Sequence, residues 1–333
     1  MKIKNGKIIS RRFTDEATYW QTVYEWEDIF AEELDLEINK SCNRIHPAKK
    51  DLFTRIVRKL FRIIYERRSF TYANLLNLAF IMVPEESWYY KLDHVIPIYL
   101  DVDSWKIDKI KRDTRKLPLF FVTSKKIHEM INQDNCFFIP LSVSDKYYDK
   151  KWALSKRDID VVYTGRRNKL LHSYMLDYCK SHPNCNYVYI GKSDDEGNAV
   201  YVSVNGDVYG SFRERSDYIG LLRNSKISLV SVHDSDTVRE DQENDFFTPR
   251  FYESAVCYCH MIGCYVENME AGIIGIKDIC HNVKSYDSFA EQIDRFLVTD
   301  NKVNAERYDS FIKSNLTSKR TLQIKKIYEN RMG

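Results

Sequence analysis

The sequence predicts an α/β protein built from two Rossmann-like, doubly wound domains, and three observations carry that expectation. Residues 117–122, 124–131 and 136–140 read as strand, helix, strand, and this rhythm belongs to a parallel sheet. Residues 158–169, Asp-Ile-Asp-Val-Val-Tyr-Thr-Gly-Arg-Arg-Asn-Lys, read as a buried strand ending in a glycine turn, where a doubly wound domain holds phosphate. A chain of 333 residues exceeds what one core usually serves. The natural division is 1–150 and 151–310, with 311–333 as a final helix.

Composition narrows the function classes. Basic residues number 51 and acidic residues 48, a formal charge of +3, which is too balanced for a dedicated nucleic-acid binder. The opening Met-Lys-Ile-Lys-Asn-Gly has no apolar run of signal-peptide type, and no segment offers 18 or more apolar residues. A cytoplasmic protein, soluble or peripheral on a membrane, is expected. The eight cysteines include no Cys-x-x-Cys pair, so buried reduced thiols are expected rather than a metal site.

In chain order, residues 7–11 give a short first strand with no glycine-rich turn after it. Residues 14–34 give an amphipathic helix, with Tyr19, Trp20, Val23, Trp26, Ile29, Phe30 and Leu34 at helical spacing. Residues 51–68 place Leu52, Phe53, Ile56, Val57, Leu60, Phe61, Ile63 and Ile64 on one half of a wheel and Arg55, Arg58, Lys59 and Arg62 on the other. That separation suits a helix lying in an anionic membrane surface, and equally a core helix with a solvated basic face. Residues 72–84 and 94–102 read as strands, with Pro97 awkward for a central one. Asp101 and Asp103 then fall near the crevice beyond a strand's carboxyl end, as capping residues or as site residues. His94 lies at the strand's far end. Residues 106–116 form a basic helix, and 146–157 a charged linker.

In the second half, residues 169–180, 216–224, 285–299 and 304–330 read as helices, and 186–191 and 226–232 as strands. Asn205-Gly206 marks a hairpin with a type I′ turn. The polar residues 233–244 form a solvated loop or a lid, and residues 267–279 another loop.

Residues 245–253, Asp-Phe-Phe-Thr-Pro-Arg-Phe-Tyr-Glu, organise the rest. Thr248-Pro249 reads as a helix start, because threonine accepts from an orphan amide and proline has no first-turn N–H to waste. The helix mouth favours an anion, Arg250 adds charge, and Glu253 sits one turn further in as an acceptor for hydroxyl groups. Residues 255–259 bury the helix and 260–266 form the next strand. Phosphate outside and sugar hydroxyls inside describe a nucleotide-sugar. Arg166 and Arg167 at the Gly165 turn are placed to clamp the phosphate, and the missing Gly-x-Gly-x-x-Gly argues against a nicotinamide cofactor. A capped helix with surface charges is the plainer reading of the same residues.

The pattern resembles the donor-binding signature of the group 1, family 4-like GT-B glycosyltransferases of bacterial polysaccharide synthesis, in which two acids eight apart flank a phosphate-facing loop. The resemblance implies two domains facing a central cleft, with the last helix crossing back to the first. It gives Glu253 the donor ribose, Asp245 the position of the first acid, and Gly165, Arg166 and Lys169 the diphosphate. It implies transfer of a sugar from a nucleotide-sugar to a hydroxyl of a glycan or lipid-linked acceptor, with no cofactor beyond the donor. In an inverting enzyme Asp101 or Asp103 would deprotonate that hydroxyl. Asp101-Val-Asp103 matches the letters of a metal-binding Asp-x-Asp but is better read as a strand end. The rivals are a catalytically silent carbohydrate- or membrane-binding protein of the same fold, and a nucleotide-sugar epimerase or phosphorylase.

Overall fold

The computed structural model describes residues 6–10, 12, 18–39, 77–81, 95–195, 198–212, 214–232 and 246–332. The amphipathic stretch 51–68, the polar residues 233–244, His94 and Asp245 lie outside the described residues. The chain divides into two compact units, Met1–Ile139 with Thr317–Gly333, and Pro140–Leu316.

The first unit is a parallel sheet of β1 (Lys7–Ile9), β2 (Glu37–Asn39), β3 (Asn77–Ile81), β4 (Ile96–Tyr99), β5 (Phe120–Val122) and β6 (Cys136–Phe138), in the order β2-β1-β3-β4-β5-β6. Its helices include α1 (Thr18–Leu34), α2 (Ile107–Thr114) and α3 (Lys125–Ile131). Trp20, Val23, Trp26, Phe30 and Leu34 are buried along α1, and Phe30 meets Phe80 of β3 edge-on at 5.3 Å. Each such side chain contributes about 1.5–3 kcal/mol when removed from water. Ser124 caps α3 by accepting from the Ile127 N–H, and Asn132 ends it in the left-handed region at φ 47°.

Pro97 does lie in an internal strand, and the register explains how. Leu100 donates its N–H to Ile81 of β3, so the missing donor of Pro97, three residues earlier, faces the β5 side. Pairing with β5 begins only at Ile98 opposite Phe121, so no ladder bond is lost.

The second unit holds β7 (Ile159–Tyr163), β8 (Tyr187–Ser193), β9 (Ala199–Ser203), β10 (Val208–Ser211), β11 (Ser225–Ser231), β12 (His260–Cys264) and β13 (Cys280–Asn282). Their order is β10-β9-β8-β7-β11-β12-β13, parallel from β8 to β13, with β9 and β10 added antiparallel at the β8 edge. Its helices are α4 (Lys169–Ser181), α5 (Arg215–Arg223), α6 (Pro249–Val256), α7 (Met269–Ile274), α8 (Tyr286–Val298) and α9 (Ala305–Ser314). The chain then forms α10 (Thr317–Met332), which packs against α1 in the first unit.

Three local expectations change. The β9–β10 turn is not type I′, because Gly206 alone has positive φ, at 94°. The Gly206 N–H bonds to the Ser203 carbonyl and the Ser203 N–H to Asp207, a three-residue loop with glycine in the left-handed position. Residues 267–279 are not a loop: Asn268 caps α7 through the Ala271 N–H, and Gly275 closes it at φ 77°. Residues 146–157 are folded within the second unit as short 3-10 turns, and Arg157 donates to the carbonyls of Trp152 and Cys257 at 2.8 and 2.7 Å.

Among the described residues no helix is long and apolar enough to cross a membrane. The seven described cysteines are free, buried thiols.

Candidate functional site

In the second unit β8 lies on one side of β7 and β11 on the other. The chain leaving β7 and the chain leaving β11 therefore diverge, and open α/β sheets bind ligands outside the carboxyl ends of strands at such a point. Tyr163, the last residue of β7, joins its hydroxyl to Ser231 Oγ, the last residue of β11, at 3.0 Å. The same hydroxyl accepts from the Asn168 N–H at 2.7 Å, so it anchors both strand ends and the far side of the turn. Burial pushes its pKa up.

That turn is Thr164-Gly165-Arg166. Gly165 has φ 69°, a conformation glycine adopts without strain, and its N–H donates to the buried Tyr201 hydroxyl at 3.4 Å. Burial pushes the Tyr201 hydroxyl up to about 12. Arg250 crosses from α6 and donates through Nη1 to the carbonyls of Thr164 (3.2 Å) and Arg166 (2.6 Å). Gly165, Arg166 and Arg250 are thus brought together. Arg166 is exposed, and so is Lys169, the first residue of α4. Asn168 caps α4 by accepting from the Leu171 N–H at 3.0 Å.

Arg167 departs from the paired phosphate clamp. Its Nη1 meets His172 Nε2 at 2.9 Å and its guanidinium lies 5.1 Å from the Tyr189 ring centroid. Guanidinium has no acceptor, so Nε2 must accept and the proton sits on Nδ1, which donates to the Tyr187 hydroxyl at 2.8 Å. Burial, reinforced by Arg167, lowers the His172 pKa to about 4.

The helix mouth forms at the expected residue with a different cap. Thr248 is extended, at φ −70° and ψ 160°, and Pro249 opens α6. The Thr248 side chain does not cap the helix; its hydroxyl reaches the Ser231 carbonyl at 3.5 Å, and its carbonyl accepts from the Phe251 N–H at 3.2 Å. The threonine is turned towards the β11 strand end and leaves the first turn without a side-chain acceptor.

Glu253 sits one turn in, buried, on the face of α6 that meets α5. Arg215 Nη2 donates to its Oε1 at 2.6 Å, and the Tyr218 hydroxyl to its Oε2 at 2.8 Å. The only Tyr218 proton is then committed, so Thr164 Oγ1, 3.1 Å away, donates to it. Thr164 therefore ties the glycine turn to Glu253 through Tyr218. Sequence reasoning missed Arg215, Tyr218 and Tyr201. The available signal was Arg215 and Tyr218 three apart, on one face of a short helix.

Asp101 and Asp103 lie in the first unit, just past β4. Asp101 is exposed, and Asp103 pairs with Lys106 at 2.9 Å. Among the described residues no group of three or more His, Cys, Asp or Glu is arranged to hold a metal ion.

No protein-family model and no curated protein matches the sequence. Solved structures do match. A UDP-forming trehalose-phosphate synthase from Burkholderia xenovorans aligns with a TM-score of 0.56 and 8% identity over 97% of this chain and 87% of that one. A variant of S. aureus TarM, in complex with fondaparinux, alpha-GlcNAc-glycerol and UDP, aligns at 0.55 and 9% over 79% of this chain and 57% of that one. The N-terminal domain of Candida albicans trehalose-6-phosphate phosphatase aligns at 0.54 and 11% over 96% and 80%. The chain spans 60% of the matched chain of a GtfA/B complex and 57% of TarM. Identities of this size carry the fold alone. With two Rossmann-like units and these neighbours, the chain has the GT-B fold, as its structural neighbours among the glycosyltransferases do.

Proposed function

We propose that the protein is a glycosyltransferase that moves a sugar from a nucleotide-sugar donor to a hydroxyl of a glycan or lipid-linked acceptor. One observation carries the reading: on a GT-B fold, the Gly165 turn and the mouth of α6 converge where β7 and β11 diverge, clasped by Arg250. A departing nucleoside diphosphate is the species whose charge such a site must neutralise, and preorganised donors are the efficient means. In this reading Arg166, Lys169 and the first-turn amides of α6 meet the diphosphate, without a further cofactor, and Glu253 meets the donor hydroxyls. Asp245 takes the place of the first acid of the motif. A TarM variant has been solved with UDP, and the trehalose-phosphate synthases are UDP-forming, which supports a nucleotide-linked donor.

In an inverting reaction Asp101 or Asp103 serves as the base that takes the acceptor hydroxyl's proton. The basic and apolar sequence pattern of residues 51–68 suits contact with an anionic membrane that carries a lipid-linked acceptor, in surface-polysaccharide synthesis at the inner face of the cytoplasmic membrane. Incubation with a panel of nucleotide-sugars, with and without acceptor extracts, and measurement of released nucleoside diphosphate tests the activity. Release of diphosphate supports transfer. Binding without turnover identifies a silent relative, and a changed sugar without release identifies an epimerase.

A further inference from the structure

Cys179 lies in the last turn of α4 and Cys185 just before β8, and five exposed residues, 180–184, separate them. The connection folds back on itself: the His182 N–H donates to the Cys179 carbonyl at 3.2 Å and the Cys185 N–H to the His182 carbonyl at 2.9 Å. That return brings both side chains into one apolar cluster, where the Cys185 thiol donates to the Cys179 sulfur. At 7% and 5% they are the most exposed of the seven described cysteines, the others being at 4% or less. Among the described residues no third His, Cys, Asp or Glu joins them to hold a metal ion, so the chemistry open to the pair is that of a dithiol. The hydrogen bond also makes the two sulfurs unequal. It favours the thiolate form of Cys179 and lowers its pKa, against burial and the nearby Asp160 carboxylate, whereas the same bond and burial push Cys185 up. An attacking thiol and a resolving thiol differ in this way.

We propose that Cys179 and Cys185 form a reversible disulfide that staples the end of α4 to the start of β8, with a low-molecular-weight disulfide such as glutathione disulfide as the oxidant. The Cys179 thiolate attacks one sulfur of glutathione disulfide, the S–S bond breaks, and one glutathione leaves as its thiolate. The Cys185 thiol gives its proton to that thiolate and attacks the Cys179 sulfur, expelling the second glutathione, which takes a proton from solvent. Two protein thiols are thereby oxidised and one disulfide is reduced to two thiols. Reduced glutathione runs the exchange backwards. The bridge closes a loop of seven residues, 179–185, and restricts the unfolded chain. It sits at the end of α4 away from Lys169, so it stiffens the second unit without touching the candidate donor site.

The test equilibrates the reduced full chain with glutathione buffers of increasing oxidised fraction, quenches in acid, alkylates the remaining thiols in denaturant and analyses tryptic peptides by mass spectrometry. Trypsin cuts after Lys169, Lys180 and Lys192, so the bridge joins peptide 170–180 to peptide 181–192, and reductant releases the two. The folded wild type is expected to give this joined pair, to lose it in reduced glutathione, and to keep its other cysteines as thiols. Cys185→Ser, which retains a hydroxyl donor for Cys179, is expected to stop at a glutathione adduct on Cys179. Cys179→Ser is expected to capture glutathione about tenfold or more slowly, because its remaining thiol lacks thiolate character. The oxidised wild type should unfold at higher urea concentration than the reduced one, and neither serine variant should show that rise. If a serine variant does not fold, the wild-type measurements still decide. A folded wild type that keeps both thiols at every oxidised fraction, or that carries glutathione adducts and no bridge, overturns the proposal. So do equal capture rates in the two variants, or a bridge that leaves the urea midpoint unchanged. These readouts involve no nucleotide and do not depend on the transferase reading.

Discussion

Arg250 reaches the backbone beside Arg166: Arg250 Nη1 donates to the Arg166 carbonyl at 2.6 Å, with the Thr164 carbonyl at 3.2 Å from the same nitrogen. The residue expected to bind phosphate thus also clasps the turn presenting Arg166. Arg250→Ala should weaken nucleoside diphosphate binding by about tenfold or more, since hydrogen bonds to charged groups contribute roughly 1.5–3 kcal/mol. Arg250→Lys should recover less than half of that loss in free energy, because a single ammonium does not reproduce the guanidinium geometry. Calorimetric titration checks both.

Gly165 should tolerate no side chain. At φ 69° an alanine is strained, and its Cβ would stand 3.4 Å from Arg250 Cδ. Gly165→Ala is expected to cost about 1–2 kcal/mol of stability. It should also lower diphosphate affinity, because relaxing the strained φ moves the turn that presents Arg166. Urea denaturation reads the first effect and titration the second.

Glu253→Ala should destabilise the second unit as well as weaken binding. It removes the carboxylate that pairs with the Arg215 side chain, 12% exposed, and breaking one partner of a buried pair costs about 3–5 kcal/mol. Glu253→Gln, which keeps an acceptor for Tyr218, should cost less. Denaturant midpoints for the two variants should fall in that order.

Acid should loosen the second unit through His260. This buried ring stacks on Phe296 with centroids 4.4 Å apart, and Nε2 donates to the Thr299 carbonyl at 3.2 Å. Burial lowers its pKa from 6.5 to about 4. The unfolded chain then takes up a proton that the folded chain refuses, so the stability is present above pH 6.5 and is lost as pH falls towards 4. The full effect is about 3 kcal/mol, from 1.4 kcal/mol per pKa unit. Melting temperature measured from pH 7 to 4 should fall in the wild type and fall less in His260→Phe.

Alkali should act on the first unit through Glu27. Burial outweighs its bonds to Ser10 and Arg12 and pushes its carboxyl up to about 7. A folded value above the unfolded 4.5 means that the folded chain holds the proton more tightly. This stability is present below about pH 4.5 and is lost as pH rises through 7, again about 3 kcal/mol in full. Glu27→Gln should flatten that dependence in denaturation measured between pH 5 and 8.

The strand–helix order was legible because buried parallel strands are continuous apolar runs, as in Ile159–Tyr163 and Ser225–Ser231, with polar caps such as Ser124 and Ser285 between them. The mouth of α6 was legible from Thr248-Pro249. The cap itself was not, because Thr248 turns to a carbonyl on a neighbouring strand end. Nothing local announces the pair of Arg215 and Glu253, which are 38 residues apart and meet only because α5 and α6 pack together beside β11. Arg167 resembled Arg166 in sequence and differs in space because His172 and Tyr189 lie within its reach. Asn205-Gly206 suits two hairpin geometries, and the registry of Ser203 with Asp207 selects the longer.

The return of α10 to α1 sets an order on biogenesis. A ribosome finishes every strand of the first unit by residue 138, yet the helix that completes its packing emerges only after residue 316. The second unit is a continuous segment and can fold as it is made, whereas the first waits, nascent and lacking one helix, for the whole of the second to be translated.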